Sequence, residues 1–152
     1  MLQLKIKEAL FEQCEVFVNK RLYNIENVIS SNQKALQSET KSSAGDKHET
    51  GRAMLQLEME KAGQQLAGIV QMKEILAKMN ISKTSKNACL GSLILTEKAC
   101  YFLSISAGQL VVENKVYFAI SVASPIGKLL LGKQEKDAIS FNGITIVINE
   151  IF

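Results

Sequence analysis

Apolar residues along the chain follow two different rhythms, and the change falls near residue 80. In the first stretch Leu10, Cys14, Val18, Leu22, Ile25, Ile29 and Leu36 recur at steps of four, three or seven, which keeps them on one side of a helix, while Glu12, Glu15, Lys20, Asn24 and Glu26 fall off that stripe. Leu55, Met59, Ala62, Leu66, Ile69, Lys73 and Leu76 then alternate steps of four and three, a coiled-coil seam broken only by Lys73. Between the stripes, Gln37 to Arg52 has no apolar side chain larger than that of Ala44 and carries Gly45 near its middle. This spacing predicts an antiparallel helical hairpin over 1–80 with its tip near 37–52, because two such helices bury their stripes against each other. At 1.5 Å per residue, helices of about 30 residues give a rod of roughly 45 Å.

From Ile81 to Ala88 the chain is rich in Ser, Thr, Lys and Asn, as a linker would be. Beyond it come short runs rich in β-branched and aromatic residues: Leu93 to Leu95, Cys100 to Ile105, Val116 to Val122 and Ile144 to Ile148. Gly91, Gly108, the pair Glu113-Asn114 and the pair Asn142-Gly143 separate them, so 81–152 is expected to hold a sheet of four to six strands. Ser124 and Pro125 suit the cap and first position of a short helix within it. The fold class is α+β: a coiled-coil hairpin followed by a small β domain with a short helix.

Composition narrows the chemistry. Of 152 residues 47% are hydrophobic, enough for a core. The formal charge is +3, with 18 basic and 15 acidic side chains, too even for a general nucleic-acid binder. Cys14, Cys89 and Cys100 form no Cys-x-x-Cys pair and stand apart from the single His48, which argues against zinc and for reduced thiols in a cytoplasmic protein. No window approaches the roughly 18 apolar residues of a membrane span, and Lys5, Lys7, Glu8 and Glu12 interrupt any leader-like run. Gly127, Gly132 and Lys133 fall at phosphate-loop spacing, yet Gln134 replaces the required Ser or Thr, so the match is accidental. With one histidine, a Ser-His or Cys-His nucleophile is poorly supplied.

The expected tip is the informative place. Asp46 and Glu49 lie three apart, so at the start of a second helix both carboxylates share a side. One reading is a capping box favoured by the helix dipole. The other is a pair of acids delivered into another molecule, where they help hold a magnesium ion and its water. The two are compatible.

At this point the chain resembles the bacterial Gre transcript-cleavage factors. The tip sequence Gly45-Asp46-Lys47-His48-Glu49-Thr50-Gly51 is similar to the family's Gly-Asp-x-x-Glu-Asn-Ala, and Ser124-Pro125-Ile126-Gly127 through Leu129-Leu130-Leu131-Gly132-Lys133 is similar to its C-terminal signature. Leu90-Gly91-Ser92-Leu93-Ile94-Leu95 is similar to its entry into the first C-terminal strand. Arg52 and Met54 stand where the family has an acid and a His, Thr50 replaces Asn, and Lys136-Asp137 replaces Gly-Asp, so the chain resembles a divergent member.

The resemblance implies an FKBP-like antiparallel β domain and a factor that is not itself an enzyme. It implies docking on RNA polymerase through the segment Ser124, Pro125, Ile126 and Gly127, with the hairpin entering the secondary channel. Asp46 and Glu49 would share the polymerase's Mg2+ and assist cleavage of backtracked RNA, with no tightly bound cofactor, while Lys47, His48 and Arg52 would be tip contacts. RNA in the channel, DNA only indirectly, no membrane and a monomeric state complete that expectation. The alternatives are a secondary-channel regulator that does not stimulate cleavage, and a coiled-coil interaction protein with no role at polymerase. A prolyl isomerase is disfavoured by the scarcity of aromatics, with no Trp in the chain.

Overall fold

The computed structural model describes residues 2–41 and 46–152, with side chains described outside 39–49. Helix α1 runs Leu2–Lys41 and helix α2 runs Asp46–Lys78. No Gly or Pro interrupts α1, and its Leu, Gln, Glu and Lys are strong helix formers, so the helix persists well beyond its apolar stripe. The same reasoning accounts for a difference from expectation: 37–41 is still helix, and helix resumes at Asp46, so most of the polar stretch expected as a tip is helical. Polarity at 37–41 and 46–52 therefore goes with helix rather than with loop.

By its contacts the chain forms two compact units, Val18–Lys73 in one and Met1–Phe17 with Glu74–Phe152 in the other. Within the first of these, Val18, Ile25, Ala62 and Ile69 are buried, and Lys73 is exposed as the break in the seam requires. Asn32, midway between Ile29 and Leu36, is also buried.

The other unit is built on a six-stranded sheet: β1 Leu93–Thr96, β2 Cys100–Ser104, β3 Gly108–Val112, β4 Lys115–Ser121, β5 Ala138–Phe141 and β6 Ile144–Ile151. Helix α3, Pro125–Leu130, lies between β4 and β5 in the chain. The strand order is β3-β4-β2-β1-β6-β5. The sheet is mixed rather than wholly antiparallel, because β4 pairs in parallel with β2, Phe102 opposite Ala119, while every other neighbouring pair is antiparallel. The chain leaves β2, places β3 at the edge, and returns as β4 between them.

Two tight turns set the hairpin registers. Glu113 and Asn114 both have positive φ, 51° and 65°, joining Val112 to Lys115 across β3 and β4. Asn142 and Gly143, at 53° and 78°, do the same between Phe141 and Ile144. Two consecutive left-handed residues match the right-handed twist of the strands they join. Thr96 closes the turn into β2, its Oγ1 donating to the Ala99 carbonyl at 2.6 Å and accepting from Ala99 N–H at 3.0 Å.

Strand alternation divides the apolar residues between two faces. Ile94, Leu103, Leu130, Ile139, Ile146 and Ile148 form one core beneath α3. On the opposite parity of β2, Phe102 and Ser104 are fully buried, and Cys14 of α1 meets Ser104 there. Gln13 Nε2 donates to the Val111 carbonyl at 2.9 Å, so the beginning of α1 covers that face as far as β3.

Candidate functional site

Helix α2 opens on Asp46, and Glu49, Thr50 and Arg52 follow in its first two turns. The side chains of Asp46, Lys47, His48 and Glu49 lie outside the described residues, as does Gly45 altogether. Two acids in the first turn sit where the positive end of the helix dipole favours negative charge. Thr50, Arg52 and Met54 are exposed. Carboxylate oxygens are the hard donors that Mg2+ prefers, and two carboxylates leave most of its octahedral shell to water or to a second molecule. The donor set therefore suits a shared ion better than a resident one. Among the described residues no three of His, Cys, Asp and Glu gather as a metal cluster.

The second candidate segment, Ser124 to Gly127, opens α3. Ser124 is extended, at φ −69° and ψ 159°, and its Oγ accepts from Gly127 N–H at 3.1 Å while donating to the Ser121 carbonyl at 2.6 Å. Pro125 follows in the first turn, where its missing N–H costs nothing. Gly127 is buried, and a Cβ there would collide with the Ser121 carbonyl. Ile126 packs against the core. Of the four, Pro125 alone is exposed, and the solvent face of the helix continues through Lys128 and Leu129. The residue types at this segment thus follow from the cap and the close approach to β4, and a partner would meet Pro125, Lys128 and Leu129.

Gly132 and Lys133 are spent on backbone pairing. Gly132 N–H donates to the Ala88 carbonyl at 2.7 Å and Ala88 N–H donates to the Lys133 carbonyl at 2.7 Å. The Gly132 amide is therefore not free to cradle a phosphate.

Two polar residues that the apolar pattern passed over turn out to be buried. Lys7 is 2% exposed, and burial holds its ammonium below the usual lysine range. Asn32 is 9% exposed, and its Nδ2 has no hydrogen-bond acceptor among the described residues. Lys7 lies three residues before Leu10 and Asn32 three after Ile29, so extending the stripe by its own steps would have found both. Burial also raises the Cys14 thiol and the Tyr101 and Tyr117 phenols above their usual ranges.

No protein-family model matches the chain, and no curated protein matches it. Among the described residues no helix is long and apolar enough to cross a membrane.

Proposed function

We propose that this protein is a Gre-like factor that binds RNA polymerase at its secondary channel and stimulates cleavage of backtracked RNA. The observation that carries this reading is the pairing, in one chain, of two long helices, the second opening on Asp46 with Glu49 three residues on, with a six-stranded sheet domain containing the Ser124-capped α3. On this reading the sheet domain is FKBP-like and docks at the channel rim through the exposed face of α3. Asp46 would help hold a Mg2+ shared with the polymerase, and Glu49 would support that ion or orient an attacking water. Such an ion would supply Lewis acidity and an activated water, and the polymerase would cut the bond, so on this reading the protein is a cofactor and not an enzyme. Lys47, His48 and Arg52 flank the acids as contacts for RNA in the channel. The reading carries with it a cytoplasmic, monomeric protein.

The test is RNA shortening in stalled, backtracked elongation complexes, with Asp46→Ala and Glu49→Ala beside the parent. Shortened RNA with the parent, and its loss in both variants at undiminished polymerase binding, is the expected result. Variants as active as the parent would leave the acids as helix caps alone.

A second reading, a secondary-channel regulator that does not stimulate cleavage, is favoured by Arg52. It is an exposed cation within a turn of Glu49, where the resembled factors carry an acid. Polymerase binding without any shortened RNA distinguishes it. Failure to associate with polymerase points instead to a coiled-coil interaction protein with another partner.

A further inference from the structure

In the unit Val18–Lys73 the side chains of Val18, Ile25, Ala62 and Ile69 are buried, whereas none in 33–38 or 50–61 is. Leu36, Leu55 and Met59 continue the seam there but are only half-buried, and Met54 and Leu57 are exposed. The change falls at one level of the two helices. Ile25 and Ile69 line one groove, and helices only four residues apart in the chain run in opposite directions, so a step of seven in each brings Asn32 level with Ala62.

That layer is weak for three separate reasons. Asn32 buries an Nδ2 with no acceptor among the described residues, a cost to the closed state that is relieved once water reaches the amide. Ala62 is the smallest apolar side chain of the seam, so little apolar area is buried opposite Asn32. Gly63, next to Ala62, lowers helix propensity, and a Cβ there would meet nothing within 4 Å, so packing does not call for the glycine. Beyond this layer the helices have only half-buried contacts, and helices of such length are marginal in water without a packed face. We propose that Asn32 and Gly63 form a hinge layer at which the far part of the hairpin, 33–38 with 50–61, opens in a single step while 18–31 with 64–73 stays closed. The opening is a property of the free chain and does not rest on the polymerase reading.

The experiment is native-state amide hydrogen exchange, read by NMR on the full chain at a concentration where sedimentation shows a single species. Amides in 33–38 and 50–61 should be at least about tenfold less protected than those in 18–31 and 64–73, with the change falling within a turn of Asn32 and Gly63. Asn32→Leu, which removes the orphaned amide, should raise protection in 33–38 and 50–61 about tenfold, and Gly63→Ala should raise it about fivefold. Gly68→Ala, the same change on the closed side of the hinge, should leave protection in 33–38 and 50–61 as it is in the parent. Three outcomes overturn the proposal: protection that is uniform or declines smoothly along both helices, protection of the far part that neither Asn32→Leu nor Gly63→Ala changes, or a Gly68→Ala variant that raises both parts equally, as one cooperative unit would.

Discussion

The Cys14 thiol and the Ser104 hydroxyl lie 3.8 Å apart, Sγ to Oγ, with both residues wholly buried where α1 covers β2. Burial disfavours the thiolate and raises the thiol above its usual range, although the Ser104 contact works in the opposite direction. Since the thiolate is the nucleophile, Cys14 should resist alkylation in the folded protein. Iodoacetamide at mildly alkaline pH should label half-buried Cys89 first, with Cys14 labelled only after denaturation. Equal rates at the two positions, read by peptide mass spectrometry, would mean that this face opens readily.

Glycine substitutions should have opposite signs at two helical positions. At Gly127 a Cβ runs into the Ser121 carbonyl, which already accepts from Ser124, so Gly127→Ala must displace the start of α3 and should cost about 2 to 4 kcal/mol. At Gly68 a Cβ meets nothing within 4 Å, so Gly68→Ala should add about 1 kcal/mol through helix propensity alone. Urea denaturation midpoints of the two variants check both signs.

Asn32 interrupts the apolar seam of α1 with a buried amide whose Nδ2 has no acceptor among the described residues. Replacing it by Leu should stabilise the protein by about 1 to 3 kcal/mol, visible as a higher melting temperature. A polar residue in a seam also restricts which partner and register the helix accepts. Asn32→Leu is therefore expected to gain self-association as well, measurable by sedimentation. A lower melting temperature would mean that the amide is satisfied in solution.

Lys7 has a definite pH signature. Its folded pKa lies below the ordinary 10.5, so between the two values the unfolded chain holds the extra proton and stability at this site rises with pH. Lys7→Met should be more stable than the parent at neutral pH. That advantage should shrink as pH rises through the window ending near 10.5, because the parent no longer buries a charge. Comparing urea midpoints at several pH values cancels the titration of Cys14, Tyr101 and Tyr117, which both proteins share. A constant difference across the window would rule out the burial argument.

Much of this architecture was readable from spacing. Leu10, Cys14, Val18 and Ile25 announced themselves because a helix turns every 3.6 residues and half of it must hide. The runs at Cys100 and Val116 did so because a buried strand concentrates β-branched and aromatic side chains. The edge strands β3 and β5 were not singled out, since strands of five and four residues with a single buried side chain each leave little apolar signal. The parallel pairing of β2 with β4 was hidden for another reason: neighbours in sequence suggest antiparallel hairpins, and only packing decides that β4 turns its second edge to β2. At the candidate site, the three-residue step from Asp46 to Glu49 is a property of the sequence. Lys7 escaped because a charge is ordinarily assigned to the surface, and only the step to Leu10 hinted otherwise.

The union of Met1–Phe17 with Glu74–Phe152 bears on how the molecule is made. A ribosome delivers the first helix long before β2 and β3, the strands that receive Cys14 and Gln13. Until those strands are made, Leu10 and Cys14 have no part of the sheet to lie against, so the nascent chain carries an uncovered apolar stripe while the residues between α1 and β2 are added. A chaperone that holds amphipathic helices would find its substrate in α1, and would be displaced when β2 and β3 emerge.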